Sequence, residues 1–266
     1  MTDLEQRIAE PYVLERLSPS RASDFLQCPK LFEYRTIQRL PEETTVHQAR
    51  GTTAHLALQN LFDLPKEDRT ADRLYDLFRA AWTELRTEEE YEGLFDTVEE
   101  ERAWGVESMK LLRNYFTVED PGAIEPLDRE LDLLEEVMDG VVIRGILDRM
   151  DETPEGDLVI LDYKTGKAPP QRYAASAFFA LKIYAALIRK RTGRTPIEVR
   201  LMYLNGPTQL AMPITDELLD QTEQRIATIW NQIERAIETE TFPPSPSKLC
   251  GWCSFQDICP AFADDS

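Results

Sequence analysis

The chain has 266 residues, 42% hydrophobic and 30% charged, and carries a net charge of −19 from 49 acidic and 30 basic residues. That length can bury a full core, and the absence of any run of about 18 or more apolar residues excludes a spanning helix. The opening MTDLEQRIAEPYVLERL is polar and lacks an apolar signal segment, so a cytoplasmic location is expected, with no membrane partner. The acidic excess weighs against binding a phosphate backbone, which relies on Lys and Arg. Its distribution softens the objection. Residues 84–136 hold 18 acidic against five basic residues, whereas 141–200 hold 11 basic against seven acidic, including Arg189, Lys190 and Arg191 in a row. A local positive funnel around 141–200 is expected.

In chain order, LSPSRASDFLQCPKLFEYR (17–35) reads as one capped helix, with Ser18 or Ser20 as N-cap and Phe25, Leu26, Leu31 and Phe32 as its apolar stripe. A second helix is expected over 47–62, and further helices over 70–86 and 97–117. The acidic run from Glu84 to Glu101 is expected to be a solvated helix face. Strands follow near 127–134, 141–150 and 157–164, then an apolar helix over 174–191. A hairpin pairs 197–204 with 208–215 through Asn205-Gly206-Pro207. A long helix covers 216–239, and a Pro-rich stretch leads into a cysteine-rich tail. No internal repeat is present.

The strands VVIRGILDRMD (141–151) and DLVILDYKTG (157–166) flank ETPEGD, whose Pro154 and Gly156 are turn residues. A hairpin centred near Glu155 sets residues whose numbers sum to about 310 opposite one another, and Asp148 and Asp162 form such a pair. Facing carboxylates repel, and a divalent cation bound by both would compensate. Lys164 projects from the same face as Asp162 and could orient a water or offset charge on a phosphate. The apolar run Val159–Leu161 marks an interior strand, which weighs against the alternative of a solvated acidic pair.

All four cysteines need an account. Cys250, Cys253 and Cys259 form a compact trio, and Cys28 stands more than 200 residues upstream. In a cytoplasmic protein the C-x2-C pair reads as metal binding or redox. Its place in a terminal tail disfavours a thioredoxin-like role. On ligand type, Zn²⁺ and an iron–sulfur cluster are equally suited.

Taken in series, SPSRASDFLQCPKLFEYR, GTTAHLALQNLF, VVIRGILDRMD, LVILDYKTGK and CGWCSFQDICP resemble the PD-(D/E)XK superfamily, and within it the RecB-like nucleases with an iron–sulfur staple. The resemblance implies an α/β restriction-endonuclease-like fold with a mixed sheet flanked by helices. It implies a single nuclease domain over 1–266, a helical insertion at 63–126 and a tail, 243–266, clasped to the N-terminal helix over a groove. Asp148, Asp162 and Lys164 would be catalytic. His55, Asp148, Asp162 and the Tyr163 carbonyl would hold Mg²⁺ or Mn²⁺. Cys28, Cys250, Cys253 and Cys259 would hold a [4Fe–4S] cluster. His47 has no such match, and Glu130 is set aside as a ligand. Ala180 stands where the family often has a Gln four residues before a Tyr, here Tyr184. Tyr184, Arg144 and Lys167 are expected to contact substrate, and Tyr173, Phe178 and Phe179 could stack on bases. The implied activity is exonucleolytic hydrolysis of single-stranded DNA in repair or recombination, alongside a helicase or recombination partner. The alternatives are a non-catalytic DNA-binding or scaffold subunit and a zinc-stapled RNA-processing nuclease.

Overall fold

The computed structural model describes residues 12–170 and 176–262. The chain divides into two compact units. One comprises Met1–Glu42, Leu134–Gly145 and Asp220–Ser266, the other Glu43–Leu133 and Ile146–Leu219.

Five strands form one mixed sheet in the order β1-β2-β3-β4-β5: β1 (Asp128–Met138), β2 (Val141–Glu152), β3 (Leu158–Lys164), β4 (Glu198–Tyr203) and β5 (Thr208–Pro213). This is the expected α/β architecture. The β2–β3 hairpin turns through Gly156, whose φ of 89° suits a residue without Cβ. Its four ladder pairs run from Glu152↔Leu158 to Arg149↔Leu161, the register read from the turn. Leu158–Tyr163 are buried without alternation, as in a strand covered on both faces. β4 lies parallel to β3, so the chain must cross over between them. The crossover includes helix α5 (Phe179–Thr192), which ends on Gly193 in the left-handed region.

The 17–35 segment is not one helix. Helix α1 (Pro19–Gln27) begins on Ser18, whose side chain accepts the Arg21 N–H, and stops at Cys28. Pro29 disfavours helical dihedrals for the residue before it, and Cys28 adopts φ −163°, ψ 111°. A short helical turn, Pro29–Phe32, and a π-turn, Glu33–Ile37, follow.

Helix α2 (Val46–Leu61) starts in a capping box between Thr45 and Gln48. It buries Ala49, Thr53, Ala54, Ala57, Leu58 and Leu61, and the small residues let its backbone approach its neighbours closely. Helices α3 (Ala71–Leu85) and α4 (Val98–Arg113) share its core, where Leu58, Leu74, Phe78, Trp104 and Leu112 pack with Leu161, Tyr163 and Met202 of the sheet. The 97–117 helix is interrupted at Asn114, whose amide donates to the Leu204 carbonyl at 2.8 Å. The acidic run does not form a helix face. Most of it lies in the turns between α3 and α4, and Glu99, Glu100 and Glu101 occupy the first turn of α4, where the helix dipole favours them. Helix α6 (Asp216–Glu238) leads to the tail. Among the described residues, no helix is long and apolar enough to cross a membrane.

Candidate active site

The site forms where the β2–β3 ladder ends. One step beyond Arg149↔Leu161, the Asp148 side chain replaces a backbone acceptor, its Oδ2 taking the Tyr163 N–H at 2.8 Å. On β3, Asp162 is 7% exposed, and its Oδ2 lies 2.6 Å from Lys164 Nζ. Helix α2 delivers His55, with Nδ1 3.3 Å from Asp148 Oδ2 and Nε2 2.9 Å from the Tyr163 carbonyl oxygen. Glu130 of β1 joins them: one ligand atom each from His55, Glu130 and Asp148 lie within 4.8 Å of one another. A groove of about 560 Å³ lined by Gln48, Thr52, His55, Gln59 and Glu130 runs along α2 to this trio.

Both ring nitrogens of His55 face oxygen acceptors, yet neutral imidazole carries a single N–H. An imidazolium can donate to both, and a metal ion bound at one ring nitrogen would relieve the conflict. Burial opposes charging His55, but the hydrogen bond and charge of Asp148 outweigh it, and its pKa is raised. Burial pushes Asp162 up to about 6; Asp148 adds to this and the Lys164 ammonium opposes it. Glu130 is raised by burial and by Asp148. Lys164 stays charged: burial works against its ammonium, and the Asp162 carboxylate more than compensates. At 2.6 Å from Asp162 Oδ2, the Lys164 ammonium acts on it through its charge and its hydrogen bond. Carboxylates, an imidazole and a carbonyl form a donor set suited to a hard divalent cation. The 2.9 Å between His55 Nε2 and the Tyr163 oxygen suits a hydrogen bond, and is close to the ~3 Å between neighbouring ligands on an octahedral ion with bonds of about 2.1 Å.

The structure distributes the other expected site residues unevenly. Tyr184 on α5 belongs with the site, since burial and then the charges of Asp162, Asp148 and Glu130 raise its phenol pKa. Lys167 is exposed in the loop after β3. Arg144 falls in the other unit, where its N–H donates to the Leu17 carbonyl at 2.9 Å. Phe178 and Phe179 are core residues, 4% and 9% exposed, and are closed to base stacking; Tyr173 lies outside the described residues. Several of the basic residues expected to form a positive funnel have acidic or carbonyl partners. Arg189 reaches Asp216 and Arg191 the Asp132 carbonyl, while Arg194 pairs with Glu152 beside the hairpin turn, at the far end of β3 from Lys164. Glu130, set aside in the sequence, lies among the ligand candidates. Its φ of 47° is rare for a residue with a side chain and is the local signal of its role.

In the other unit, Cys28, Cys250, Cys253 and Cys259 line one cavity of about 40 Å³ together with Leu31, Tyr34 and Phe255. None is in a disulfide. The Ser245 N–H donates to Cys28 Sγ and the Ser247 N–H to Cys250 Sγ, each at 3.3 Å. Tyr34 Oη donates to the Ile258 carbonyl at 3.0 Å, and its ring meets Phe255 at 5.2 Å, so the tail packs on the segment after α1. Among the described residues, no three of the sulfurs lie within 4.8 Å of one another.

A family model described as the PD-(D/E)XK nuclease superfamily matches residues 16–260. The chain belongs to that superfamily. The match and the His55–Glu130–Asp148 trio together support a metal-dependent nuclease. Gene 69 protein of Mycobacterium phage L5 is 28% identical over 128 residues, 47% of this chain. The chain covers 42% of that relative, less than half its length. A crystal structure of a candidate exonuclease from Eubacterium rectale superposes with a TM-score of 0.55 at 15% identity, covering 95% of this chain and 92% of the other. At that identity the likeness concerns the superfamily fold alone.

Proposed function

We propose that this superfamily member is a RecB-like deoxyribonuclease that uses Mg²⁺ or Mn²⁺ to degrade single-stranded DNA from an end, in DNA repair or recombination. The observation that carries the reading is the convergence of His55, Glu130 and Asp148 beside the Asp162–Lys164 pair. His55, Asp148, Asp162 and the Tyr163 carbonyl would hold the ion, with Glu130 as a further ligand. A bound divalent cation would supply an activated water and charge stabilisation at the phosphate. Lys164 brings a permanent positive charge, 43% exposed, to the edge of the carboxylates, where it can neutralise an anionic oxygen of the substrate. Asp148 holds His55 in position through Nδ1, which would leave Nε2, 2.9 Å from the Tyr163 carbonyl oxygen, as the ligand atom. The exonuclease reading draws on the fold shared with the Eubacterium rectale protein and on the resemblance in the motifs.

Cys28 and the three tail cysteines would hold a [4Fe–4S] cluster. Thiolates on a single zinc ion stand only about 3.8 Å apart, given Zn–S bonds of about 2.3 Å. A cubane places each thiolate on a different iron and asks for wider spacing. The apolar walls and the N–H donors to Cys28 and Cys250 suit thiolate ligands.

End-labelled single-stranded DNA incubated with Mn²⁺ tests the nuclease reading. Wild type is expected to shorten it progressively and Asp162→Ala to leave it intact; equal degradation by both, or none by either, overturns the reading. Anaerobically purified protein is expected to be brown with broad absorbance near ~400 nm, and colourless protein releasing Zn²⁺ contradicts the cluster.

A further inference from the structure

Arg149 directly follows Asp148 on β2, and Tyr163 directly follows Asp162 on β3, so both side chains leave the sheet on the opposite face from those carboxylates. There they meet. Arg149 is 1% exposed, and all five of its N–H groups have acceptors. Nε donates to Asp151 Oδ2 at 3.2 Å, Nη1 to Glu119 Oε1 at 2.5 Å and Tyr163 Oη at 2.7 Å, and Nη2 to Glu119 Oε2 and Asp151 Oδ2, both at 2.9 Å. The guanidinium lies 5.2 Å from the Phe62 ring centroid, and Tyr115 Oη donates to Glu119 at 2.5 Å. Glu119 and Tyr115 come from the helical region 63–126.

Such a cluster is a poor way to gain stability. Two carboxylates share one guanidinium away from water, Asp151 Oδ1 is buried without a partner, and apolar residues of the same volume would hold the fold as well or better. Its position suggests what it is for. Tyr163 is gripped at its hydroxyl by Arg149, while its ring stands edge-on to His55 and to Tyr115, each at 6.1 Å. Its N–H binds Asp148 and its carbonyl binds His55.

We propose that Arg149, braced by Glu119 and Asp151, is a positioning residue that pins Tyr163 from behind and so holds the Tyr163 carbonyl, Asp148 and His55 at ligand distance. This rests on the metal-dependent reading of the site. The helical region 63–126 thereby becomes part of the machinery that shapes the metal site.

The test is calorimetric titration of Mn²⁺ into metal-free wild type, Tyr163→Phe and Arg149→Lys, with thermal unfolding followed on the same samples. Tyr163→Phe removes one hydroxyl and leaves the carbonyl in place. It is expected to weaken Mn²⁺ binding roughly tenfold or more, as loss of an outer partner commonly does, and cleavage should recover at saturating Mn²⁺. Arg149→Lys, which offers three donors in place of five, is expected to weaken binding further. A lowered unfolding temperature with unchanged Mn²⁺ affinity would mean a structural role only and overturn the proposal; if Arg149→Lys does not fold, Tyr163→Phe decides alone. Wild type that binds no Mn²⁺ overturns this proposal and the nuclease reading together. Wild type and Tyr163→Phe binding and cleaving alike overturn this proposal and leave the nuclease reading standing.

Discussion

Asp162 is held in a conflict that a cation resolves. Burial raises its pKa to about 6, so above that pH the folded, metal-free protein carries a charged carboxylate compensated by the half-exposed Lys164 and, to a smaller degree, by His55. A carboxyl pKa raised by folding contributes stability at low pH, and that contribution is lost as pH rises through the folded value. Metal-free wild type is therefore expected to lose thermal stability relative to Asp162→Asn between about pH 4 and about pH 6, measured by scanning calorimetry; parallel curves would remove Asp162 as the cause. Glu130 makes a second test. Glu130→Gln keeps the shape and removes the charge, and is expected to weaken Mn²⁺ binding about tenfold with an unchanged melting temperature. Unaltered affinity takes Glu130 out of the ligand set. These two acids also mark the limit of what the sequence discloses. Asp162 could be placed opposite Asp148 because Pro154 and Gly156 set the hairpin register. Strand alternation puts Glu130 on the face of Asp132, Leu134 and Glu136, all exposed, and only its left-handed backbone redirects it. A glutamate carries no signal for that conformation.

The elements themselves were mostly legible, because caps and turns are local chemistry: Thr45 and Gln48 begin α2, Gly156 turns the hairpin and Gly193 ends α5. What periodicity obscured was the break after α1. The apolar stripe runs on through Leu31 and Phe32, yet Pro29 removes an N–H and diverts Cys28, so that its sulfur enters the same cavity as the three tail cysteines. Phe255 shows how little apolar matter holds this tail. It is 4% exposed and packs with Leu31, Tyr34 and the partly buried Cys28 and Cys253 in a cluster separate from the main core. Truncating a buried Phe to Ala costs about 3 kcal/mol or more, so Phe255→Ala is expected to raise local opening of the tail roughly a hundredfold. Limited proteolysis would report this as faster cleavage within 243–262. Mn²⁺ titration is expected to be unchanged, since the metal site is built wholly within the other unit. Equal rates of proteolysis would show that cluster ligation, rather than packing, orders the tail.

At the scale of the whole molecule, the charge decides how substrate can be met. A net charge of −19 repels a polyanion at long range, and several arginines are committed to carboxylates. Arg149 is spent on Glu119 and Asp151, Arg129 on Asp63, Arg35 on Asp24 and Glu42, and Arg194 on Glu152. Composition showed the excess of acid, but the run Arg189–Arg191 looked available because sequence order does not reveal that α5 carries it to the far end of β3. A protein that binds single strands by displacing counterions loses affinity with a log–log salt slope of about −0.7 for each phosphate contacted. With no Lys or Arg among the residues that line it, the groove along α2 is expected to hold DNA chiefly through the metal ion and neutral donors such as Gln48, Thr52 and Gln59. The slope for a labelled oligonucleotide, measured by anisotropy with Asp162→Asn to prevent cleavage, is therefore expected to be no steeper than about −2, equivalent to some three phosphates. A steeper slope would require a basic surface beyond the pairs named above. A shallow slope with weak binding would instead suit a nuclease whose strand is delivered by a partner, because long-range repulsion and few phosphate contacts leave little affinity for DNA encountered alone.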